Sequence, residues 1–325
     1  MSTGVTCLHS ALIYRGREEF TAAVGGFVRD GLASGEPVMV MITPEKMGWL
    51  RAALGQDAAA AVEFADSGSA YQPQAQVTRV ATSYLHRLGP RPSRMVAEQA
   101  LARRRRCEVE DYMRIEAAAN VVYQPFPVSI LCPYDASALA GDVLLACQQT
   151  HPQLLTGHRL QPSERFTDPS GFITASAAVA QPPLSAASYS CDTAADLAAA
   201  RSFLRVQADL AGLEDERAEN LVLAAFEIVA NAVFHGKPPR RLYVYREDRA
   251  LVCHVHDSGA GIGNPLCAYI PPGGDPDQGR GLWLARQLSD CLSIATDATG
   301  THVRTFTLLP EDPAAAQADT RARKG

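Results

Sequence analysis

The segment EIVANAVFHG, residues 227–236, decides the fold of the carboxyl-terminal half of this chain. Glu227, Asn231 and His235 recur every four residues, and positions with this spacing lie on one face of an α-helix. The residues between them are mostly apolar, which predicts a core helix that carries a single polar stripe. Taken alone, the stripe has two interpretations: a face whose side chains bond to one another or to solvent, or one wall of a binding site.

Two glycine clusters follow this helix along the chain. DSGAGIG, residues 257–263, ends an apolar strand, where an acid can accept a hydrogen bond from an amino group and glycines let a ligand approach the backbone. In GGDPDQGRGLWLARQL, residues 273–288, Gly279 and Gly281 open a helix that we expect to begin near Leu282. Backbone N–H groups at a helix N-terminus are a common phosphate site. Each cluster taken singly also fits a simple turn.

The three segments in this order resemble the N, G1 and G2 boxes of the GHKL-type ATPase fold. Histidine kinases, gyrase, Hsp90 and the anti-sigma-factor serine kinases share that fold. The segment GTHVRTFTL, residues 300–308, resembles its closing strand, so the resemblance covers about residues 189–310. It implies an α+β two-layer sandwich, the Bergerat ATP-binding fold. The order of helices followed by strands around one sheet independently favours a two-layer α+β domain.

The resemblance implies ATP and Mg²⁺ as cofactors. Asn231 would be the Mg²⁺ ligand, and a neutral amide oxygen suits a metal that keeps its waters and phosphates. Glu227 occupies the position of the residue proposed to deprotonate or orient the attacking hydroxyl. His235, beside Gly236, is expected to cap the end of the helix rather than to take part in chemistry.

The other implied nucleotide contacts lie in the glycine boxes and the closing strand. Asp257 would accept the adenine amino hydrogen. The remaining positions would surround the base or the phosphates: Gly259 and Gly261 beside the base, Gly279, Arg280, Gly281 and Leu282 around the phosphates, and Thr301 near the adenine.

The loop between the glycine boxes, residues 264–278, is short, and in this it is most similar to the RsbW-like bacterial regulators. These phosphorylate a serine or threonine on an anti-sigma antagonist. The resemblance therefore implies a cytoplasmic serine/threonine protein kinase whose partners are a STAS-type antagonist and a sigma factor. Kinases of this type often form homodimers, and the sequence leaves the oligomeric state open.

Two alternative functions remain at this point. A non-catalytic ATP-binding partner switch would carry the same site residues. An atypical sensor histidine kinase would need an acceptor histidine in a helical hairpin before the ATP domain, and none of the eight histidines has that context.

The amino-terminal half alternates strand-like and helix-like segments. HSALIY (9–14), EPVMVMIT (36–43) and VSILCPYD (128–135) read as buried strands, and residues 17–35 as an amphipathic helix. This alternation predicts an α/β layered sheet. Phrases such as RIEAAANVV, LCPYD and THPQL resemble the MEDS domain, a sensory module related to RecA-like sheets but without a Walker A loop, over nearly all of residues 7–166.

Four residues of this half are candidates for sensing a metal or a small molecule: His9, Cys132, Asp135 and His151. Sulfur and imidazole together suit a transition metal. They are far apart in sequence, and a core cysteine with buried, hydrogen-bonded histidines is the alternative interpretation.

We therefore predict a sensory domain over residues 1–166, a linker over 167–188, an ATPase domain over 189–310 and a disordered tail over 311–325. A net charge of −5 gives no global attraction to nucleic acid or membrane, and the arginines at 103–106 are interpreted as solvated surface. No apolar run approaches the ~18 residues of a membrane helix. The eight scattered cysteines, without a C-x-x-C pair, favour reduced thiols in a cytoplasmic protein.

Overall fold

The computed structural model describes residues 7–70, 76–157, 159–272 and 280–309. The chain divides into two compact units. The first contains the chain up to Ala178 together with Ile262–Gln287, and the second contains Val179–Gly261 and the chain from Leu288 onward. The predicted disordered tail, residues 311–325, lies outside the described residues.

The first unit is built on a seven-stranded sheet with the order β3-β2-β4-β5-β1-β6-β7. Neighbouring strands run parallel except for the edge pair β6 and β7, which is antiparallel. This confirms the predicted α/β class. The strands are β1 Leu8–Tyr14, β2 Val38–Ile42, β3 Val62–Asp66, β4 Ser93–Ala97, β5 Val128–Asp135, β6 Gln153–Thr156 and β7 Arg159–Pro162.

Eight α-helices are described in the amino-terminal part of this unit, and central strands of its sheet are apolar on both faces. All five residues of β2 are buried, as expected for a central strand of a parallel sheet. The face of α1 predicted to be apolar does pack into the core, where Phe20, Val24 and Val28 are fully buried. The helices are α1 Gly16–Ala33, α2 Pro44–Leu54, α3 Gln56–Ala60, α4 Ser67–Ala70, α5 Gln76–Leu88, α6 Arg106–Val122, α7 Gly141–Thr150 and α8 Pro169–Ser176.

Two details of this unit differ from the sequence-based expectations. Helix α8 lies inside the segment predicted to be a linker; Asp168 caps it by accepting a hydrogen bond from the Gly171 N–H at 3.0 Å, and Pro169 occupies its first turn. Of the arginines at 103–106, interpreted as solvated surface, Arg103 and Arg106 are exposed, whereas Arg104 and Arg105 are half-buried.

The second unit is a five-stranded sheet with the order β11-β12-β10-β9-β8, covered by two helices. Its neighbouring strands are antiparallel. Helices α9 and α10 contact each other, and α10 packs on β10 and β12, which gives the predicted two-layer α+β arrangement. The elements are β8 Ala187–Ser190, α9 Leu197–Leu210, α10 Asp215–His235, β9 Arg240–Glu247, β10 Ala250–Asp257, β11 Cys291–Asp297 and β12 Gly300–Leu308.

The helix that follows the second glycine cluster is α11, Arg280–Leu288, and it belongs to the first unit up to Gln287. Within that unit its Arg286 guanidinium donates to both carboxylate oxygens of Asp111 on α6, at 2.8 and 3.0 Å, and lies over the Tyr269 ring.

Among the described helices, α10 alone is long and apolar enough to cross a membrane, and 44% of its apolar window is buried within the protein. The core helix of a soluble domain meets the same criteria, and α10 packs on α9, β10 and β12.

Candidate nucleotide site

Asp257 lies at the carboxyl end of β10 and is 7% exposed. One of its oxygens, Oδ1, accepts hydrogen bonds from the backbone N–H of Gly259 at 2.7 Å and of Lys237 at 3.3 Å. Within the described part of the chain, Oδ2 accepts no hydrogen bond. The carboxylate is therefore fixed through one oxygen, and the other is free to accept from a ligand.

The backbone around Asp257 is crowded to a degree that only glycine permits. A Cβ atom on Gly236 would lie 2.5 Å from Asp257 Cγ, and one on Gly259 would lie 2.5 Å from Oδ1. Gly261 has a φ of 97°, a left-handed conformation that favours glycine, and its Cβ would meet Thr296 Oγ1 at 2.7 Å. These glycines bring the end of α10 and the loop after β10 directly against the carboxylate.

Thr301 lies opposite Asp257 in the antiparallel register of β10 and β12. Residues directly opposite each other point to the same face of a sheet, so the predicted adenine contacts are neighbours. Gly300 precedes Thr301 with a φ of 141°, and a Cβ there would lie 1.9 Å from the backbone oxygen of Asp257. The Gly-Thr pair thus allows β12 to start beside Asp257.

Glu227 and Asn231 lie on α10, on the stripe predicted from their spacing. Both side chains are half-buried, and neither makes a hydrogen bond to any residue that the structure describes. Ile228, Val229 and Ala232 are buried on the same helix. The stripe therefore carries an amide and a carboxylate that are held in place by their helix and remain available to a ligand.

The end of α10 is capped by Arg240, which the sequence analysis did not identify. Its guanidinium donates from Nε to the Ala232 carbonyl at 2.7 Å and from Nη2 to the Gly236 carbonyl at 2.8 Å. A positive charge at a helix C-terminus is favourable. The expectation that His235 provides the cap is wrong: its side chain is exposed, and the arginine of β9 binds the last carbonyls instead.

The predicted phosphate-binding residues are only partly described. Gly279 lies outside the described residues. Arg280 is exposed at the first described position of α11, and Leu282 is buried. Arg280, Gly281 and Leu282 all fall in the first unit, so their role at the phosphates stays a prediction.

The residues of the second unit fit ATP on chemical grounds. A carboxylate oxygen with no partner suits an exocyclic amino group, which is a hydrogen-bond donor. The glycines beside it leave room that side chains would fill. Asn231 offers a neutral oxygen of the kind that Mg²⁺ accepts along with phosphates and waters.

Three of the four sensing candidates come together in the first unit, and the fourth does not. His9, Cys132 and His151 come together, and all three are buried. Asp135 is not part of this cluster; its Oδ1 accepts from the backbone N–H and the hydroxyl of Ser137. The fourth member is Glu116 on α6, whose Oε2 lies 3.1 Å from His9 Nε2 and 3.4 Å from His151 Nε2.

The cluster is electrostatically coupled. Burial opposes ionisation of Glu116, but when the His151 and His9 imidazoles carry a second proton, their hydrogen bonds and charges outweigh it and lower the pKa of this carboxyl. Burial, followed by the neighbouring Glu116 charge, raises the pKa of the Cys132 thiol well above its ordinary value. Glu116 was missed because a lone glutamate in an alanine-rich helix carries no signal of a partner more than a hundred residues away.

Both halves of the chain match known domain families. Residues 8–152 match the methanogen/methylotroph, DcmR sensory domain (MEDS), and residues 191–306 match the histidine kinase-like ATPase domain. No curated protein matches the chain.

Two solved structures resemble part of the chain. The crystal structure of the RsbU and RsbW domains of Rv1364c from Mycobacterium tuberculosis is 22% identical with a TM-score of 0.30, over 41% of this chain and 34% of that one. This chain thus spans about a third of that structure's length. The NMR structure of the histidine kinase domain of the E. coli osmosensor EnvZ is 15% identical with a TM-score of 0.24, over 41% of this chain and 93% of that one. On the two domain matches, the chain carries a MEDS sensory domain followed by a histidine kinase-like ATPase domain, which makes it an ATP-binding, kinase-like regulator.

Proposed function

We propose that this protein is a sensory serine/threonine protein kinase. It would bind Mg²⁺-ATP in the carboxyl-terminal domain and phosphorylate a STAS-type anti-sigma antagonist in the cytoplasm, which would regulate the availability of a sigma factor. The observation that carries the proposal is the state of Asp257: one oxygen is fixed by two backbone N–H groups and the other is left to accept a hydrogen bond.

The residues of α10 support the transfer step. Glu227 and Asn231 are one helical turn apart on the same face, so a metal bound at Asn231 would have a carboxylate nearby. Bound Mg²⁺ would neutralise charge on the phosphates. The role of Glu227 would be to accept the proton of the attacking hydroxyl or to hold that hydroxyl in line. Catalysis of this kind rests on positioning and charge more than on covalent chemistry by the protein.

The test uses the full-length chain, γ-labelled ATP and STAS-domain proteins from the same organism. We expect label on one STAS protein that survives acid, because phosphoserine and phosphothreonine are acid-stable and phosphohistidine is not. Glu227→Gln should abolish this transfer and leave ATP affinity within a factor of a few. Glu219→Gln makes the same chemical change at an exposed position of the same helix and serves as the matched control.

Three results would count against the proposal in distinct ways. Acid-labile label on the chain itself would indicate a histidine kinase. ATP binding with no transfer to any STAS protein would indicate a non-catalytic switch. An Asn231→Ala variant that binds Mg²⁺-ATP as tightly as the wild type would contradict the assignment of the nucleotide site.

A further inference from the structure

Four potential metal ligands from four different elements meet in the first unit. His9 lies on β1, Cys132 on β5, Glu116 on α6, and His151 directly follows α7. One ligand atom from each residue lies within 4.8 Å of all the others, and all four residues are buried. His9 is more than a hundred residues from each of the other three, so the convergence is a property of the fold and not of a local turn.

The hydrogen bonds around the cluster fix the orientation of both imidazoles. The Asn120 amide nitrogen donates to the carbonyls of Ala117 at 3.0 Å and Thr150 at 2.8 Å, so its oxygen faces His9 Nδ1 at 3.1 Å and accepts from it. His151 Nδ1 donates to the Cys147 carbonyl at 2.8 Å. In the neutral rings, therefore, both Nε2 atoms present lone pairs to the cluster.

The atoms that face one another are thus mainly acceptors. Glu116 Oε2 faces both Nε2 lone pairs, and the Cys132 sulfur lies 3.5 Å from His9 Nε2 and 3.6 Å from Glu116 Oε2. The thiol can donate one weak hydrogen bond, which cannot serve the oxygen and both nitrogens together. Buried acceptors directed at one point are costly unless a positive charge lies among them.

Four of the six distances between the ligand atoms are close to the edges of a tetrahedral zinc site. Zinc bonds of about 2.0–2.3 Å to nitrogen, oxygen and sulfur imply ligand-to-ligand distances of about 3.3–3.7 Å. Four of the six ligand-to-ligand distances are 3.1, 3.4, 3.5 and 3.6 Å, and all six are within 4.8 Å. The Nδ1 hydrogen bonds to Asn120 and Cys147 are the outer contacts that orient histidine ligands in metal sites.

We propose that the sensory unit binds one Zn²⁺ ion through His9, Glu116, Cys132 and His151. Two imidazoles, a thiolate and a carboxylate are zinc ligands, whereas Mg²⁺ and Ca²⁺ prefer oxygen alone. A thiolate and a carboxylate together balance the charge of Zn²⁺, so the buried site is neutral when it is filled. Four protein ligands leave no open position for a substrate, so the ion ties β1, β5, α6 and the end of α7 together. The zinc supply would then determine the stability of this unit.

The experiment compares full-length wild type with Cys132→Ala and Glu116→Gln, and with Cys147→Ala as the matched control. Cys147 is a second fully buried thiol of the same unit; its sulfur is outside the cluster, and the backbone carbonyl that accepts from His151 is retained in the alanine variant. Mass spectrometry of the native protein gives the metal content. The chelated protein is then titrated with Co²⁺, followed by its visible and near-ultraviolet spectrum, and with Zn²⁺, followed by thermal unfolding.

We expect about one zinc per wild-type chain, a tetrahedral cobalt spectrum with a thiolate-to-cobalt band, and a higher Tm with zinc. Loss of a direct ligand should cost more than the roughly 10–100-fold in affinity that outer-shell changes cost. Cys132→Ala should lose the thiolate band, and Cys147→Ala should keep it. A wild-type chain that contains no metal, gives no thiolate band with cobalt and keeps its Tm in zinc would overturn the proposal. That outcome does not depend on whether any variant folds.

Discussion

Glu116 and Asp257 are both carboxylates almost withdrawn from solvent, at 5% and 7% exposure, but their neighbours are opposite in kind. Asp257 is met by backbone N–H donors, which satisfy one oxygen and leave the other for one more donor. Glu116 is met by two imidazole nitrogens whose hydrogens point elsewhere, and by a thiol. A buried carboxylate among donors is suited to recognise a neutral amino group, whereas one among acceptors requires a cation.

The first test of this contrast adds a side chain to the crowded backbone around Asp257. Gly300→Ala places a Cβ 1.9 Å from the Asp257 backbone oxygen in a conformation with a φ of 141°. Steric overlap and backbone strain together should lower the free energy of unfolding by about 3 kcal/mol or more. The measurement is urea unfolding followed by circular dichroism.

Gly212→Ala separates strain from overlap. Gly212 also has a left-handed φ, 74°, but a Cβ there would meet nothing within 4 Å. We expect a loss of about 1 kcal/mol from the backbone conformation alone. Equal losses in the two variants would mean that the close approach of β12 to Asp257 is not tight.

Asp257→Asn tests the free oxygen directly. The amide can keep accepting from the Gly259 N–H, but it turns the second oxygen into a donor that faces the adenine amino group. The hydrogen bond to the adenine amino group is lost, and two donors then face each other. ATP binding should therefore weaken by about 10–100-fold, which corresponds to about 1.5–3 kcal/mol. Isothermal titration calorimetry with Mg²⁺-ATP measures the Kd.

Asp209→Asn supplies the control for this change. Asp209 is an exposed residue of α9 whose carboxylate pairs with Arg205. The same substitution there should leave the Kd unchanged. If both variants bind ATP like the wild type, Asp257 does not contact the base.

The contrast also explains what could be read from the sequence. Asp257 and its glycines are contiguous, and a strand that ends in an acid and glycines already limits the local backbone to a few conformations. Glu116 could not be found in this way, because its partners are on β1, β5 and after α7, and only tertiary packing brings them together. Asp135, in contrast, lies at the end of β5, and its carboxylate is taken up by the turn at Ser137 instead of joining the cluster.

Arg240 and α8 show two further limits of prediction from the sequence. Arg240 caps α10 from a neighbouring strand, and its target carbonyls follow from the strand's position, whereas His235 was favoured only by adjacency. Helix α8 did have a local signal, since Asp168 and Pro169 form an N-cap and first turn. The alanine and serine content of the surrounding segment obscured it.

Glu116→Gln should have opposite effects on the metal-free and the zinc-loaded protein. Without metal, the new amide can donate to an imidazole nitrogen, which replaces an unfavourable contact between two acceptors with a hydrogen bond. We therefore expect a stability equal to that of the wild type or higher by about 1 kcal/mol. With zinc, the wild type should be the more stable protein, because a neutral amide is a poorer ligand. Thermal unfolding with a chelator and with excess zinc measures both. A variant less stable than wild type in both conditions would show that Glu116 is needed for the fold without metal.

The smallest expected effect concerns a buried histidine pair that has no carboxylate between its rings. His254 Nε2 lies 3.0 Å from His302 Nδ1 in the second unit, and His254 is fully buried. Burial, followed by the charges of His302, Arg304 and His256, lowers the pKa of His254 to about 3. The unfolded chain therefore takes up a proton below pH ~6.5 that the folded chain does not, and stability falls as the pH decreases. Between pH 7 and 5.5 this histidine should remove about 1 kcal/mol.

The pair can be tested without removing its hydrogen bond. His254→Gln keeps an amide that can bond to His302 but does not titrate, so the loss of stability between pH 7 and 5.5 should become smaller. His235→Gln makes the same change at an exposed position of α10 and should leave the acid slope as in the wild type. Parallel slopes for all three proteins would mean that the acid sensitivity of this unit arises elsewhere. A reduced slope in His254→Gln alone would show that two buried imidazoles without a carboxylate or metal between them stay neutral. In the other unit, the Glu116 carboxylate lies between His9 and His151, so that pair is in a different electrostatic environment.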